Sequence, residues 1–213
     1  MTVTNGCGAA VEHLSWLLCN PGDGVLLGQP FFRGFSVFVE ARTEATIVPV
    51  PFGLVDPFGV EAVECYEAAI KLAQERKQPI SALLVCNPHN PTGRCYTREA
   101  IMGLMRLCES YKIHLVSDEI YALSTWENAV DTQVPATPFT STLAIDPTDI
   151  IDPSRVHVVW GMSKDFGVNG LRLGSIISQA NPSVHAGLVP LAGFSSSSSA
   201  AERITANILA DAS

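Results

Sequence analysis

The sequence predicts an α/β chain, folded as a three-layer α/β/α sandwich on a mostly parallel sheet. Two observations carry that expectation. Short apolar, β-branched runs alternate along the chain with longer segments whose apolar residues recur at helical spacing, the pattern of repeated βαβ units. Residues able to bind or react with a ligand follow directly after several of these runs, where open α/β sheets place their ligands. At 213 residues one domain with a full core is expected, and 47% hydrophobic against 16% charged residues argues against disorder.

The elements follow in order. Thr2–Thr4 reads as the end of a strand, and Asn5-Gly6-Cys7-Gly8-Ala9-Ala10 as a small-residue loop opening a helix over Val11–Cys19. Such a loop offers backbone N–H groups to an anion, helped by the helix dipole, although the same residues would equally serve as a plain turn. Asn20-Pro21-Gly22-Asp23-Gly24 is a turn signal. Val25–Leu27 is a brief strand, followed by Gln29-Pro30-Phe31-Phe32, whose rings suit either stacking on a flat ligand or the core. Ala45–Val50 is a strand, and a helix runs from Gly59 to near Lys77.

Ser81–Cys86 is an unbroken buried strand leading into Asn87-Pro88-His89-Asn90-Pro91-Thr92-Gly93. Its two Asn-Pro steps impose an extended shape, and either peptide bond can be cis. Thr97 caps the next helix, whose Ile101, Met102, Met105 and Cys108 form a core stripe. Ile113–Val116 is a strand ending in Ser117-Asp118-Glu119-Ile120-Tyr121, where the aspartate suits a turn as well as a ligand. The polar, proline-rich stretch Glu127–Pro153 reads as a long surface loop.

Val156–Trp160 is a buried strand that ends at Gly161, and Met162, Ser163 and Lys164 follow at once. Arg172 comes eight residues later, past Gly167 and Gly170, and Leu173–Ile177 returns as a strand. The connection is short, so this pair is expected to be antiparallel. Singly, Lys164 and Arg172 would pass for solvated surface charges. Together on a glycine-rich connection they suit an anionic ligand and an amine that attacks carbonyls. Asn181-Pro182 is a break, and the serine run Ser195–Ser199 leads into a helix over Ala200–Ala210.

Composition excludes several classes. A net charge of -8 argues against sequence-independent nucleic-acid binding. The six cysteines form no Cys-x-x-Cys pair and read as free buried thiols of a reducing compartment, so a cytoplasmic location is expected. No apolar run reaches membrane-spanning length, the start lacks a signal-peptide pattern, and no metal-ligand spacing occurs.

Ser163-Lys164-x-x-Gly167-x-x-Gly170-x-Arg172, the NPHNPTG block, SDEIY and NGCGAAVE, in this order, resemble class I/II, fold-type I aminotransferases dependent on pyridoxal 5′-phosphate. GLRLG and the Pro-Phe-Phe position are most similar to the 1-aminocyclopropane-1-carboxylate (ACC) synthase-like branch. The resemblance covers almost the whole chain and implies that residues 1–213 are the family's large, cofactor-binding domain. It further implies that Lys164 forms the Schiff base with the cofactor aldehyde and later carries a proton. Arg172 and the amides of Cys7 and Gly8 would hold the phosphate, and Phe32 would stack on the ring. Asn90 and Tyr121 would bond the phenolic oxygen, and Asp118 would pair with the protonated pyridine nitrogen. His89 would be a spacer. A lysine desolvated in such a pocket is a nucleophile.

Two departures qualify the resemblance. Gly161 stands where the family has a phosphate-binding serine, which leaves Ser163 as the substitute if it turns inward. The family's amino-terminal arm, with its partner-subunit tyrosine, and its small carboxy-terminal domain, with the arginine for the substrate carboxylate, have no counterpart here. The resemblance therefore implies part of a longer homodimeric aminotransferase acting on amino-acid and 2-oxo-acid substrates, weak or inactive as 213 residues. An ACC synthase-like lyase and a non-catalytic cofactor-binding remnant remain open alternatives.

Overall fold

The computed structural model of the chain describes residues 1–130 and 136–211. Seven strands, β1 (Thr2–Thr4), β2 (Gly24–Gly28), β3 (Thr46–Val50), β4 (Ile80–Cys86), β5 (His114–Asp118), β6 (Val156–Gly161) and β7 (Gly174–Ile177), form one sheet. Its order is β1-β7-β6-β5-β4-β2-β3. The pairings from β6 to β3 are all parallel, while β7 runs antiparallel to both β6 and β1.

Strand alternation sorts the apolar residues into two cores, one on each face. Leu26, Leu83, Val85 and Leu115 point to one face and meet α3 (Ala62–Glu75) and α4 (Arg98–Tyr111) through Tyr66, Ile70, Leu104 and Met105. Val25, Leu27, Ala82, Leu84 and Val116 point to the other. There they meet α1 (Cys7–Leu18), α2 (Gly34–Glu40) and α6 (Pro182–Ser195) through Leu14, Val39 and Leu188. Burying each such Leu, Val or Ile side chain is worth roughly 1.5–3 kcal/mol. The expected sandwich is therefore present, with both faces of the sheet covered as a parallel sheet requires.

Several elements differ from the sequence reading. Helix α1 begins at Cys7, not Val11, so the small-residue loop is itself the first turn. α2 and α6 were not expected. Phe35 and Val39 bury one side of α2. Asn181-Pro182 is a helix start, with Asn181 Oδ1 accepting from Val184 N at 3.1 Å and Pro182 in the first turn, where its missing N–H costs nothing. Lys164 lies on a single helical turn, α5 (Met162–Asp165), and not in an open loop. The last helix, α7, spans Ser199–Ala210. Both Asn-Pro bonds, Asn87-Pro88 and Asn90-Pro91, are cis, as is Gln29-Pro30.

The stretch Glu127–Pro153 also needs correction. Residues 131–135 lie outside the described residues, but from Ser141 onward the chain turns inward and buries Thr142, Ile145 and Ile151. The cause is Glu119, whose buried carboxylate accepts from Ser117 Oγ at 3.0 Å, Ser141 Oγ at 2.6 Å and Thr142 N at 2.9 Å. All six cysteines are free, but Cys19 and Cys65 are only half-buried. Among the described residues no helix is long and apolar enough to cross a membrane.

At the opposite end of β5 and β6 from the site described below, His157 is fully buried between His114 Nδ1 and Ser178 Oγ, each at 2.9 Å. Burial first, then His114 and His185, push its pKa down to about 3. A histidine depressed in the folded state stabilises above its unfolded pKa, near 6.5, and loses that contribution as pH falls below it. The stability difference between the wild type and His157→Gln should therefore shift by about 2 kcal/mol in favour of the variant between pH 7 and pH 5. Denaturant melts at both pH values measure it, and a pH-independent difference would show that His157 is not held neutral.

Candidate active site

The carboxyl ends of β4, β5 and β6 open into a cavity of about 270 Å³. All nine residues singled out from the sequence reach it. Cys7, Gly8, Phe32, Asn90, Asp118, Tyr121, Ser163, Lys164 and Arg172 all line it. They come from six separate stretches that only the sheet brings together.

The start of α1 is built for an anion. Gly6 starts α1 with φ of 83° and carries no side chain, so the first-turn N–H groups have no side-chain acceptor. The Arg172 guanidinium packs onto it, and a Cβ at residue 6 would stand 2.3 Å from Arg172 Nη2. Arg172 is aimed by its own bonds to Asn169 O at 2.9 Å and Asn5 O at 3.4 Å. β7 presses against the same loop, where a Cβ at Gly174 would lie 2.6 Å from the Gly6 carbonyl carbon. Free N–H groups, a helix dipole and a guanidinium converge there, a setting for phosphate.

Gly161 has a local reason for being glycine. A Cβ there would meet Cys7 Sγ at 2.7 Å and Leu173 O at 2.8 Å, so the thiol occupies the room a side chain at 161 would need. Ser163 does line the cavity and supplies the nearest hydroxyl on that segment. Burial raises the Cys7 thiol far above the usual range, so it stays protonated.

The tip of β5 is built for a cationic donor. Asp118 is buried at the tip of β5, and desolvation pushes its pKa up to about 7. Its Oδ1 accepts from Ile120 N at 3.2 Å, and among the described residues Oδ2 has no protein donor. A buried carboxylate with an unfilled acceptor facing a cavity fits a ligand N–H⁺. Beside it Asn90 Nδ2 donates to Tyr121 Oη at 3.3 Å, so the amide and the phenol share one place on the wall. Burial raises the Tyr121 pKa, which keeps the phenol a donor.

Lys164 Nζ stands 6.0 Å from the centroid of the Tyr121 ring. The lysine is exposed, contrary to the desolvation expected from the sequence, because a one-turn helix at the cavity rim carries it. Phe32 is 43% exposed at the mouth and meets Phe35 edge-on at 5.7 Å. Phe35 and Phe38 also line the cavity and were missed, although the three-residue spacing 32, 35, 38 was a helical signal. Cys86, the last residue of β4, was missed too. His89 is a packing residue, edge-on to Phe58 at 5.0 Å and bonded to Thr92 Oγ1 at 2.9 Å. No group of three or more potential metal ligands occurs among the described residues.

The geometry can be set beside known proteins. The chain is 40% identical over 202 residues to a probable aminotransferase, aclI, of Aspergillus oryzae, covering 94% of this chain and 47% of that protein. It is 31% identical over 211 residues to 1-aminocyclopropane-1-carboxylate synthase 6 of Oryza sativa, covering 99% and 37%. A double mutant of aspartate aminotransferase from Thermus thermophilus superposes with a TM-score of 0.70 at 25% identity, covering 89% and 43%. The chain thus spans less than half the length of each protein. The family model "Aminotransferase class I and II" matches residues 1–213. With a mostly parallel sheet, an anion cradle, a buried carboxylate and a lysine at its strand ends, the chain belongs to the class I and II aminotransferases.

Proposed function

We propose that this chain is the cofactor-binding domain of an aminotransferase that uses pyridoxal 5′-phosphate to act on amino-acid and 2-oxo-acid substrates. One observation carries the reading: an anion cradle, an amine and a buried carboxylate share one cavity at the strand ends. The α1 amides and Arg172 hold the phosphate, Phe32 covers one face of the ring, and Asn90 with Tyr121 bonds the phenolic oxygen. Asp118 Oδ2 accepts from the pyridine N–H⁺ and keeps that proton in place. Lys164 Nζ would be the amine that holds the aldehyde end of the cofactor, and it would move a proton at the substrate α-carbon. Bound pyridoxal phosphate supplies an electron sink for that carbon.

The whole protein is read as a cytosolic homodimer, a location that six free thiols suit. Among the described residues the cations on the cavity wall are Lys164 and Arg172, both committed to the cofactor. That leaves none for a substrate carboxylate, so slow amino transfer by these 213 residues alone is part of the reading. Equilibrium dialysis of the purified chain should give one pyridoxal phosphate per chain, displaced by excess inorganic phosphate. No saturable binding, or binding indifferent to phosphate, would defeat the assignment.

A further inference from the structure

We propose that Asp165 is a positioning residue that locks the Lys164 segment against the Tyr121 segment. The proposal rests on the reading of Lys164 as the amine that bonds to the cofactor. α5 is one turn of four residues, too short to hold its own geometry. What holds it is the carboxylate that ends it. Asp165 Oδ2 accepts from Trp160 Nε1 at 2.8 Å and from Leu123 N at 3.1 Å, and Oδ1 accepts from Ser124 Oγ at 2.7 Å.

Those three donors sit on two other segments. Trp160 lies in β6, just before the site, and Leu123 and Ser124 follow Tyr121 in the turn after β5. That turn is closed by Ser124 N donating to Tyr121 O at 2.9 Å, so a pull on Ser124 is felt at Tyr121. One carboxylate therefore ties together the strand end, the lysine turn and the tyrosine turn. Each bond is charge-assisted, the stronger kind. The indole is braced in turn by Phe166, edge-on at 6.3 Å. Asparagine would keep the shape but not the charge: Trp160 Nε1 and Leu123 N would meet a neutral amide oxygen, and Ser124 Oγ would have to turn and accept from the amide nitrogen.

A purely structural aspartate would affect all lysines alike, and a positioning one affects Lys164 alone. The chain has four lysines, Lys71, Lys77, Lys112 and Lys164, so the other three are internal controls. The full chain is incubated with pyridoxal phosphate, reduced with borohydride and digested, and the label on each lysine is counted by mass spectrometry. In the wild type Lys164 should carry most of the label. Asp165→Asn should lower the label on Lys164 per mole of chain about tenfold, and Ser124→Ala, at a half-buried turn position, about threefold. Lys71, Lys77 and Lys112 should be unchanged in both. Unchanged Lys164 label per mole of chain in Ser124→Ala and Asp165→Asn overturns the proposal, as does a parallel change in that quantity at all four lysines. Should Asp165→Asn fail to fold, Ser124→Ala alone decides. A wild type labelled elsewhere than Lys164 overturns the underlying reading, and this proposal with it, before any variant is made.

Discussion

Lys164→Ala is expected to lose borohydride-fixed pyridoxal phosphate by about a hundredfold or more, while reversible binding of the same molecule survives. The split follows from the division of the cavity. On the proposed reading the α1 amides and Arg172 hold the phosphate without help from Lys164, so anion affinity should fall only several-fold. The covalent bond, by contrast, depends on an amine held beside the aldehyde, and placement of this kind is worth on the order of 10⁵ M or more in effective concentration. The other lysines lack that advantage. Lys71 is paired with Glu67 at 3.0 Å and Lys112 with Glu109, both at the surface. Lys164 is exposed and packs little, so its removal should leave the melting temperature within about 2 °C. Equal fixation in the wild type and Lys164→Ala would show that no lysine of the cavity is the reactive one.

The strands could be read from the sequence because most are short apolar runs, and in the sheet neighbours such as Leu26 and Leu27 fall on opposite faces. The site could be read because its residues follow those runs directly, where chain order and spatial order agree. What escaped was of two kinds. α2 is seven residues long, so the Phe32, Phe35, Phe38 spacing is a helical signal of under two turns, and Asn181-Pro182 signals a helix start and a break in the same letters. The rest depends on contacts between distant segments. Asp165 lies more than 40 positions from Leu123 and Ser124, and nothing local marks it as their acceptor. Gly161 reads as a lost hydroxyl in the sequence and as a space filled by Cys7 in three dimensions. The exposure of Lys164 belongs to this second kind, since burial depends on what surrounds a turn and not on its own residues.

Asp118→Asn should stabilise the chain and weaken its cofactor binding in the same pH range. Asp118 is raised to about 7 by desolvation, with Glu119 adding to it. A carboxylate whose folded pKa lies above its unfolded value contributes fully below the unfolded pKa, near 3.9. That contribution is lost as pH rises through the folded one. At pH 8 the ligand-free wild type should therefore be on the order of 4 kcal/mol less stable than Asp118→Asn, and the gap should close towards pH 4. This slope runs opposite to that of His157, so only the difference between variant and wild type isolates it. A cationic N–H donor at Oδ2 removes the penalty, because a charge paired in a dry site no longer resists ionisation. Saturating pyridoxal phosphate should then restore wild-type stability at pH 8. It should stabilise Asp118→Asn far less, with affinity reduced at least about tenfold. Guanidinium melts at pH 4, 6 and 8, with and without pyridoxal phosphate, give both quantities from one series. If the two proteins differ by the same amount at every pH, Asp118 is not an ionisable group waiting for a cation, and the pairing assigned to it is wrong.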